Sequence, residues 1–183
     1  MKILTFVTLT FCIAMIPLLM KNLASGASYA GFKATFADAA WDGKTVPKGR
    51  QCKRFDGKDP STPKLMVVGI PADANAIVME YSDRSYPPMD NGGHGKIGYT
   101  IPEGTKEITI PPVPGHSFEL PEKFFIVAPH QAPGWDEAGA YMPPCSGGNG
   151  NKYYVTIKAV VFDEGKTDSF KDIAQVVLEM GIY

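Results

Sequence analysis

Apolar residues in this 183-residue chain fall into short β-rich runs, separated at intervals of about ten residues by turns drawn from its 19 Gly and 16 Pro. The runs Leu65 to Gly69, Ala76 to Tyr81, Ile97 to Ile101, Glu107 to Ile110, Phe124 to Val127 and Tyr153 to Phe162 read as strands. In the last of these Val155, Ile157, Ala159 and Val161 share one face, as a half-buried strand requires. The pattern predicts a mainly β domain, a sandwich or a barrel. Toward the C-terminus the period changes. Phe170, Ile173, Val177 and Met180 recur at helical spacing, Asp168 can cap them and Gly181 can end them, so one amphipathic α-helix laid on the sheets is expected. There is no internal repeat and no linker that would divide the chain in two.

The first thirty residues follow another rule. Lys2 precedes an apolar run from Ile3 to Met20, followed by Lys21 and small residues up to Ala30. That is the layout of a secretory signal peptide spanning residues 1–30, with cleavage expected after Ala30, or alternatively after Ala27. The run is longer than the usual h-region of about 7–15 residues, so an uncleaved N-terminal anchor is the other reading. Cys12 lies inside the apolar run, and no Cys at the cleavage region could accept a lipid. Residues 31–183 then form a single domain, periplasmic or secreted. Cleavage removes Lys2 and Lys21 and no acid, which takes the formal charge from −1 to −3. With no long basic run left, neither nucleic acid nor a stable membrane attachment is expected as a partner of the mature chain.

Cleavage also leaves two cysteines, Cys52 and Cys145, and in an oxidising compartment such a pair tends to be bridged. A Cys52–Cys145 disulfide is expected, worth about 4 kcal/mol in the chain-entropy picture. Two separate thiols are the alternative. The second cysteine stands in Ala140-Tyr-Met-Pro-Pro-Cys-Ser-Gly-Gly-Asn-Gly-Asn-Lys-Tyr-Tyr-Val155, where a rigid Pro-Pro-Cys, a Gly-rich loop and a β-rich run adjoin. Glycine lets backbone N–H groups approach a ligand, while Lys152, Tyr153 and Tyr154 add a charge and phenolic hydroxyls. A plain surface hairpin with one structural Cys has the same composition.

The order of motifs along the chain narrows this choice. Gly43-Lys-Thr-Val-Pro47 before Cys52 is similar to a Gly-x-x-Ile-Pro-x-x-x-x-Cys opening. Thr62-Pro-Lys-Leu65 with Gly69-Ile-Pro71 is similar to Ser-Pro-Pro-Leu and Gly-Val-Pro. Asp83-Arg-Ser-Tyr-Pro87 looks like a degraded Asp-Pro-Asp-x-Pro, Ile101-Pro102 like the end of Asn-Ile-Pro, and Gly150-Asn-Lys-Tyr-Tyr-Val155 like Gly-x-His-Arg-Tyr-Val. In this order the motifs resemble the phosphatidylethanolamine-binding protein family, in its secreted bacterial branch, over roughly residues 40 to 183. The resemblance implies an antiparallel β-sandwich of Greek-key type and a small surface pocket for an anionic or phosphorylated ligand.

Carried over position by position, the resemblance places Asp83, Arg84, Ser85, Pro87, His94, Lys152 and Tyr154 at that pocket. Arg84 and Ser85 replace a Pro and an Asp of the family pattern, so a carboxylate is lost and a guanidinium gained; an inward Arg84 would grip an anion, an outward one is a solvated charge. Counting back from Ile101-Pro102 puts Gly95 at the family's His position, and a one-residue bulge in Gly92-Gly93-His94-Gly95 would bring His94 into register. Lys152 stands where the family has His, and either carries that charge or faces solvent. His116 and His130 lie in Pro-rich loops, the second long and bearing Trp135, Asp136 and Glu137; it either shapes the pocket or is a surface excursion pinned by Trp135.

No Gly-x-Ser-x-Gly elbow supports a hydrolase, which would have to draw on Asp83, His94 and Ser85. Three histidines without His-x-x-x-His or Cys-x-x-Cys spacing call for no metal, and no other cofactor is expected. The expected function is therefore binding without turnover. The alternative is a protein-contact role, such as inhibition of a protease or interaction with a host protein, through the Pro-rich 111–144 region.

Overall fold

In the computed structural model the chain is described over residues 29–163 and 169–183. The Asp168 cap and almost all of the 1–30 leader lie outside the described residues. Among the described residues, eight strands form two antiparallel sheets. The smaller has the order β1-β2-β5, built from β1 (Lys33–Phe36), β2 (Leu65–Val68) and β5 (Glu107–Ile110). The larger has the order β6-β4-β3-β7-β8, built from β3 (Ala76–Asp83), β4 (Lys96–Thr100), β6 (Phe124–Ala128), β7 (Lys152–Phe162) and β8 (Phe170–Ile182). The six strands expected from the apolar runs are all present, and β1 is an addition.

Period-two alternation assigns the faces. Leu65, Val67 and Ile110 of the small sheet share one core with Ile77, Met79, Tyr81, Ile97, Val155 and Ile157 of the large one, all of them almost fully buried. Burying a side chain of this size is worth roughly 1.5–3 kcal/mol, so this layer dominates the stability of the sandwich. The outer face of the large sheet carries a smaller cluster in which Phe125, Phe162 and Phe170 stack around Val78 and Val160.

The expected C-terminal helix is instead β8, a strand of 13 residues paired with β7. The helical reading took Val177 as buried, but this side chain is 48% exposed. The inward set is Ala174, Val176, Leu178 and Met180, which is period two and packs on the core. A register shift opposite Ala159 and Val160 offsets the start of the strand, so Phe170 leaves the core face and joins the outer cluster. Gly181 does not end a helix. It sits at φ +112°, where a Cβ would lie 2.6 Å from the Thr45 nitrogen, and lets the strand end pass against the Lys44–Val46 segment.

Candidate functional site

The sheet alternation that builds the core also builds a pocket. The inward positions of β3, Ile77, Met79 and Tyr81, continue to Asp83, and those of β7 run back through Val155 to Tyr153. Asp83 and Tyr153 face each other as the last pair of the β3–β7 ladder. Beyond them the strands give way to loops, and a cavity of about 310 Å³ opens there. Its polar lining includes Asp83, His94 and Asn151, and its apolar wall includes Met89, Trp135 and Met142.

His94 reaches the cavity through the bulge that the register required. The His94 N–H donates to the Tyr81 carbonyl at 3.0 Å, and the Tyr81 N–H donates to the Gly95 carbonyl at 3.0 Å, so two residues oppose one. Gly95 holds φ +117° and packs so closely that a Cβ would lie 2.0 Å from the Ala140 oxygen. The imidazole is buried, and its Nδ1 stands 2.7 Å from the Met142 carbonyl, an acceptor only, so Nδ1 carries the hydrogen. Nε2 is left as a lone-pair acceptor with no hydrogen-bond partner among the described residues. Burial pushes the ring down to about 4, against smaller upward influences of the Met142 bond and Asp83, so it is neutral at neutral pH.

Asp83 is also buried, and its partners are neutral: Ser85 N–H donates to Oδ1 at 2.8 Å and Asn151 Nδ2 donates to Oδ2 at 2.6 Å. Tyr153 stands edge-on to the His94 ring, and its hydroxyl accepts from the Cys145 N–H at 3.1 Å; burial raises it to about 12. Among the described residues, no Lys or Arg lines the cavity.

Of the seven residues that the resemblance places at the pocket, Asp83 and His94 meet in this cavity and the other five do not line it. Tyr154, one step from Tyr153, points to the opposite face of the sheet, where its hydroxyl donates to Asp90 Oδ1 at 2.5 Å. Arg84 lies on that face too, 4.3 Å above the Tyr154 ring and paired through both nitrogens with the Glu179 carboxylate. Lys152 is exposed. Ser85 supports the site from outside: its N–H holds Asp83, and its Oγ accepts the Lys152 N–H at 3.0 Å. Pro87 opens the 3-10 turn Pro87–Met89 that brings Met89 to the cavity wall.

Cys52 and Cys145 form a disulfide with Cα atoms 5.2 Å apart, and Cys145 lines the cavity. The long loop at 128–139 is a pocket wall, because Trp135 lines the cavity and its Nε1 donates to the Cys145 carbonyl at 3.2 Å. Asn151 and Met142 carry no signal of their own as pocket residues, whereas Tyr153 belongs to the Gly-rich stretch singled out above and the alternation from Val155 and Ile157 points it inward.

No protein-family model matches this chain, and no curated protein does either. Solved structures do. One is a phosphatidylethanolamine-binding protein homologue, CT736, from Chlamydia trachomatis, 19% identical over 83% of this chain and 96% of its own, with a TM-score of 0.49. Another is E. coli YbcL, titled a new member of the mammalian PEBP family, 16% identical over 83% of this chain and 97% of its own, with a TM-score of 0.52. At these identities the likeness is one of architecture: the two antiparallel sheets described above make the phosphatidylethanolamine-binding protein fold.

Proposed function

We propose that this chain is an exported, non-enzymatic binding protein whose pocket takes the ammonium end of a small head group of the ethanolamine type. The observation that carries the reading is a buried carboxylate, Asp83, held among the described residues by neutral donors and facing a cavity that none of their Lys or Arg side chains lines. A buried charge of this kind is stabilised by an opposite one, which a ligand can supply. His94 Nε2 adds a second acceptor beside it. The cavity volume suits a small molecule, and the apolar wall of Met89, Trp135 and Met142 suits the carbon chain of such a group.

A bare anion fits less well. Arg84 is engaged with Glu179 and Lys152 is outside the lining, so a phosphate would depend on protonated His94. With the ring at about 4, charging it near pH 7 costs roughly 4 kcal/mol. Phosphatidylethanolamine, which the neighbours' names record, presents an ammonium beyond its phosphate, and entry of the ammonium first reconciles the two. The export half of the reading rests on the layout of residues 1–30, and the secreted protein should begin at Gly31 on N-terminal sequencing.

Calorimetric titration with ethanolamine, phosphoethanolamine and inorganic phosphate tests the ligand. The two amines should bind and phosphate should not, and Asp83→Asn should weaken the amines at least about tenfold, as loss of a charge-assisted bond implies. Phosphate binding as tight as phosphoethanolamine, strengthened by Asp83→Asn, would replace this reading with an anion pocket.

A further inference from the structure

Beside the pocket, and sharing Cys145 with its lining, lies a polar cluster that the proposed ligand binding does not use. Asp136 Oδ2 is 3.7 Å from Cys145 Sγ and 3.2 Å from His116 Nδ1. The donor atoms of Cys52, Asp136 and Cys145 all lie within 4.8 Å of one another. Both side chains beside the sulfurs are withdrawn from water, His116 at 0% exposure and Asp136 at 4%. The Lys53 N–H donates to His116 Nε2 at 3.3 Å, so the hydrogen of the neutral ring is on Nδ1. That nitrogen faces Asp136 yet makes no aligned hydrogen bond among the described residues. His116 also holds φ +58°, a left-handed conformation uncommon for a residue other than Gly.

A structural disulfide has no hydrogen to offer a carboxylate and gains nothing from one buried against its sulfur. Two thiolates, a carboxylate and an imidazole, in contrast, are a donor set for a tetrahedral zinc-class ion. The 3.2 Å between Asp136 Oδ2 and His116 Nδ1 matches the edge of about 3.3 Å that two ligand atoms span on such an ion with bonds of about 2.0 Å. We propose that Cys52, Cys145 and Asp136 bind a divalent zinc-class ion when the two cysteines are reduced, that His116, which meets Asp136 in the oxidised chain, closes the site as the fourth ligand, and that the disulfide is the oxidised, metal-free state of the same site.

The chemistry balances. Two small thiols reduce the bridge and become a disulfide, leaving Cys52 and Cys145 as thiols. Metal binding then displaces both thiol protons, and the hydrogen of His116 passes from Nδ1 to Nε2, so Nδ1 is free to ligate and the Lys53 N–H bond to Nε2 is given up. Oxidation by a disulfide-bearing oxidant rejoins the two sulfurs, releases the ion and yields two thiols from the oxidant. The pair lies 93 residues apart in sequence, so no Cys-x-x-Cys spacing announced it.

The test uses the purified chain carrying Cys12→Ser, which removes the third thiol, in its oxidised form and after reduction by a phosphine. Co²⁺ reports the site through the absorption of tetrahedral thiolate–cobalt coordination, and Zn²⁺ affinity is read by competition with a chromophoric chelator. One equivalent should bind per reduced chain and none per oxidised chain. Asp136→Asn and His116→Gln should each weaken zinc binding at least about 10–100-fold with the far-ultraviolet circular dichroism of the reduced chain unchanged. Equal affinity of the reduced and oxidised chains would overturn the proposal. So would equal affinity of the reduced parent and Asp136→Asn, because two thiols of a loosened chain would then account for the metal.

Discussion

Replacing His94 by Asn isolates one buried titration and tests the description of the pocket floor. Asn can keep the bond to the Met142 carbonyl but cannot take up a proton. In the folded chain burial holds the imidazole down to about 4, whereas an unfolded histidine titrates near ~6.5. Between these values the unfolded state binds the proton and the folded state does not, so stability rises with pH through this window. The difference between the two values corresponds to roughly 3 kcal/mol, present above about pH 6.5, lost progressively as pH falls, and fully lost below about pH 4. Urea unfolding of parent and His94→Asn at several pH values measures it. The variant starts lower at about pH 7, since it loses a ring that meets Tyr153 edge-on at 5.3 Å. From about pH 7 to about pH 4 the parent should lose about 3 kcal/mol more than the variant, because His130 and the carboxylates titrate in both. Curves that stay parallel within about 0.5 kcal/mol would refute a neutral, desolvated His94, and with it the argument against a bare anion.

Three further outcomes follow from particular contacts. The paired change Cys52→Ala and Cys145→Ala opens a loop closed across 93 residues and should cost about 4–5 kcal/mol. Scanning calorimetry should show this as a fall in Tm of about 10–18 °C, and a fall below about 3 °C would contradict the loop-closure account. Gly95→Ala should destabilise by at least about 2 kcal/mol in urea unfolding, through its positive φ and the Ala140 oxygen; a neutral result would mean that the bulge relaxes freely. Arg84→Met removes a half-exposed ion pair and a stacked contact, for a loss of roughly 1 kcal/mol, and should leave ethanolamine affinity unchanged within about twofold. A tenfold loss of affinity would place Arg84 in the site.

Strands were legible where one face met the core and the other met water, because alternation then leaves a trace in the residues themselves. β8 shows how that trace is lost. Ala174, Val176, Leu178 and Met180 are inward, but Val177 and Phe170 are also apolar and stand on the other face, so a helical period fits the same letters. The register shift beside Ala159 and Val160 breaks the alternation at the place where the two readings would have been told apart. β1 has too few residues to show a period, and its neighbour β2 is what makes it a strand.

The pocket divided along a different line. Asp83 and His94 were found through motif order, and the bulge at Gly95 supplied the register that counting alone left open. Tyr154 and Arg84 were drawn in by likeness to a motif, although parity with Val155 and Ile157 turns Tyr153 inward and its neighbour outward. Local periodicity outweighs motif likeness here because a strand cannot send adjacent side chains to one face without a bulge. The β7–β8 ladder does shift between Tyr153 and Tyr154, but the β3–β7 ladder runs unbroken from Asp83–Tyr153 to Ala76–Val160 and keeps that alternation. Trp135 and Met142 join the wall only through the 128–145 loop, whose path is set by the bridge to Cys52 and by Trp135 Nε1 on the Cys145 carbonyl. The polarity of the pocket depends on this division. Each cation that motif order had assigned to it belongs to another surface, and the carboxylate that remains is the group that the proposed ammonium ligand would meet.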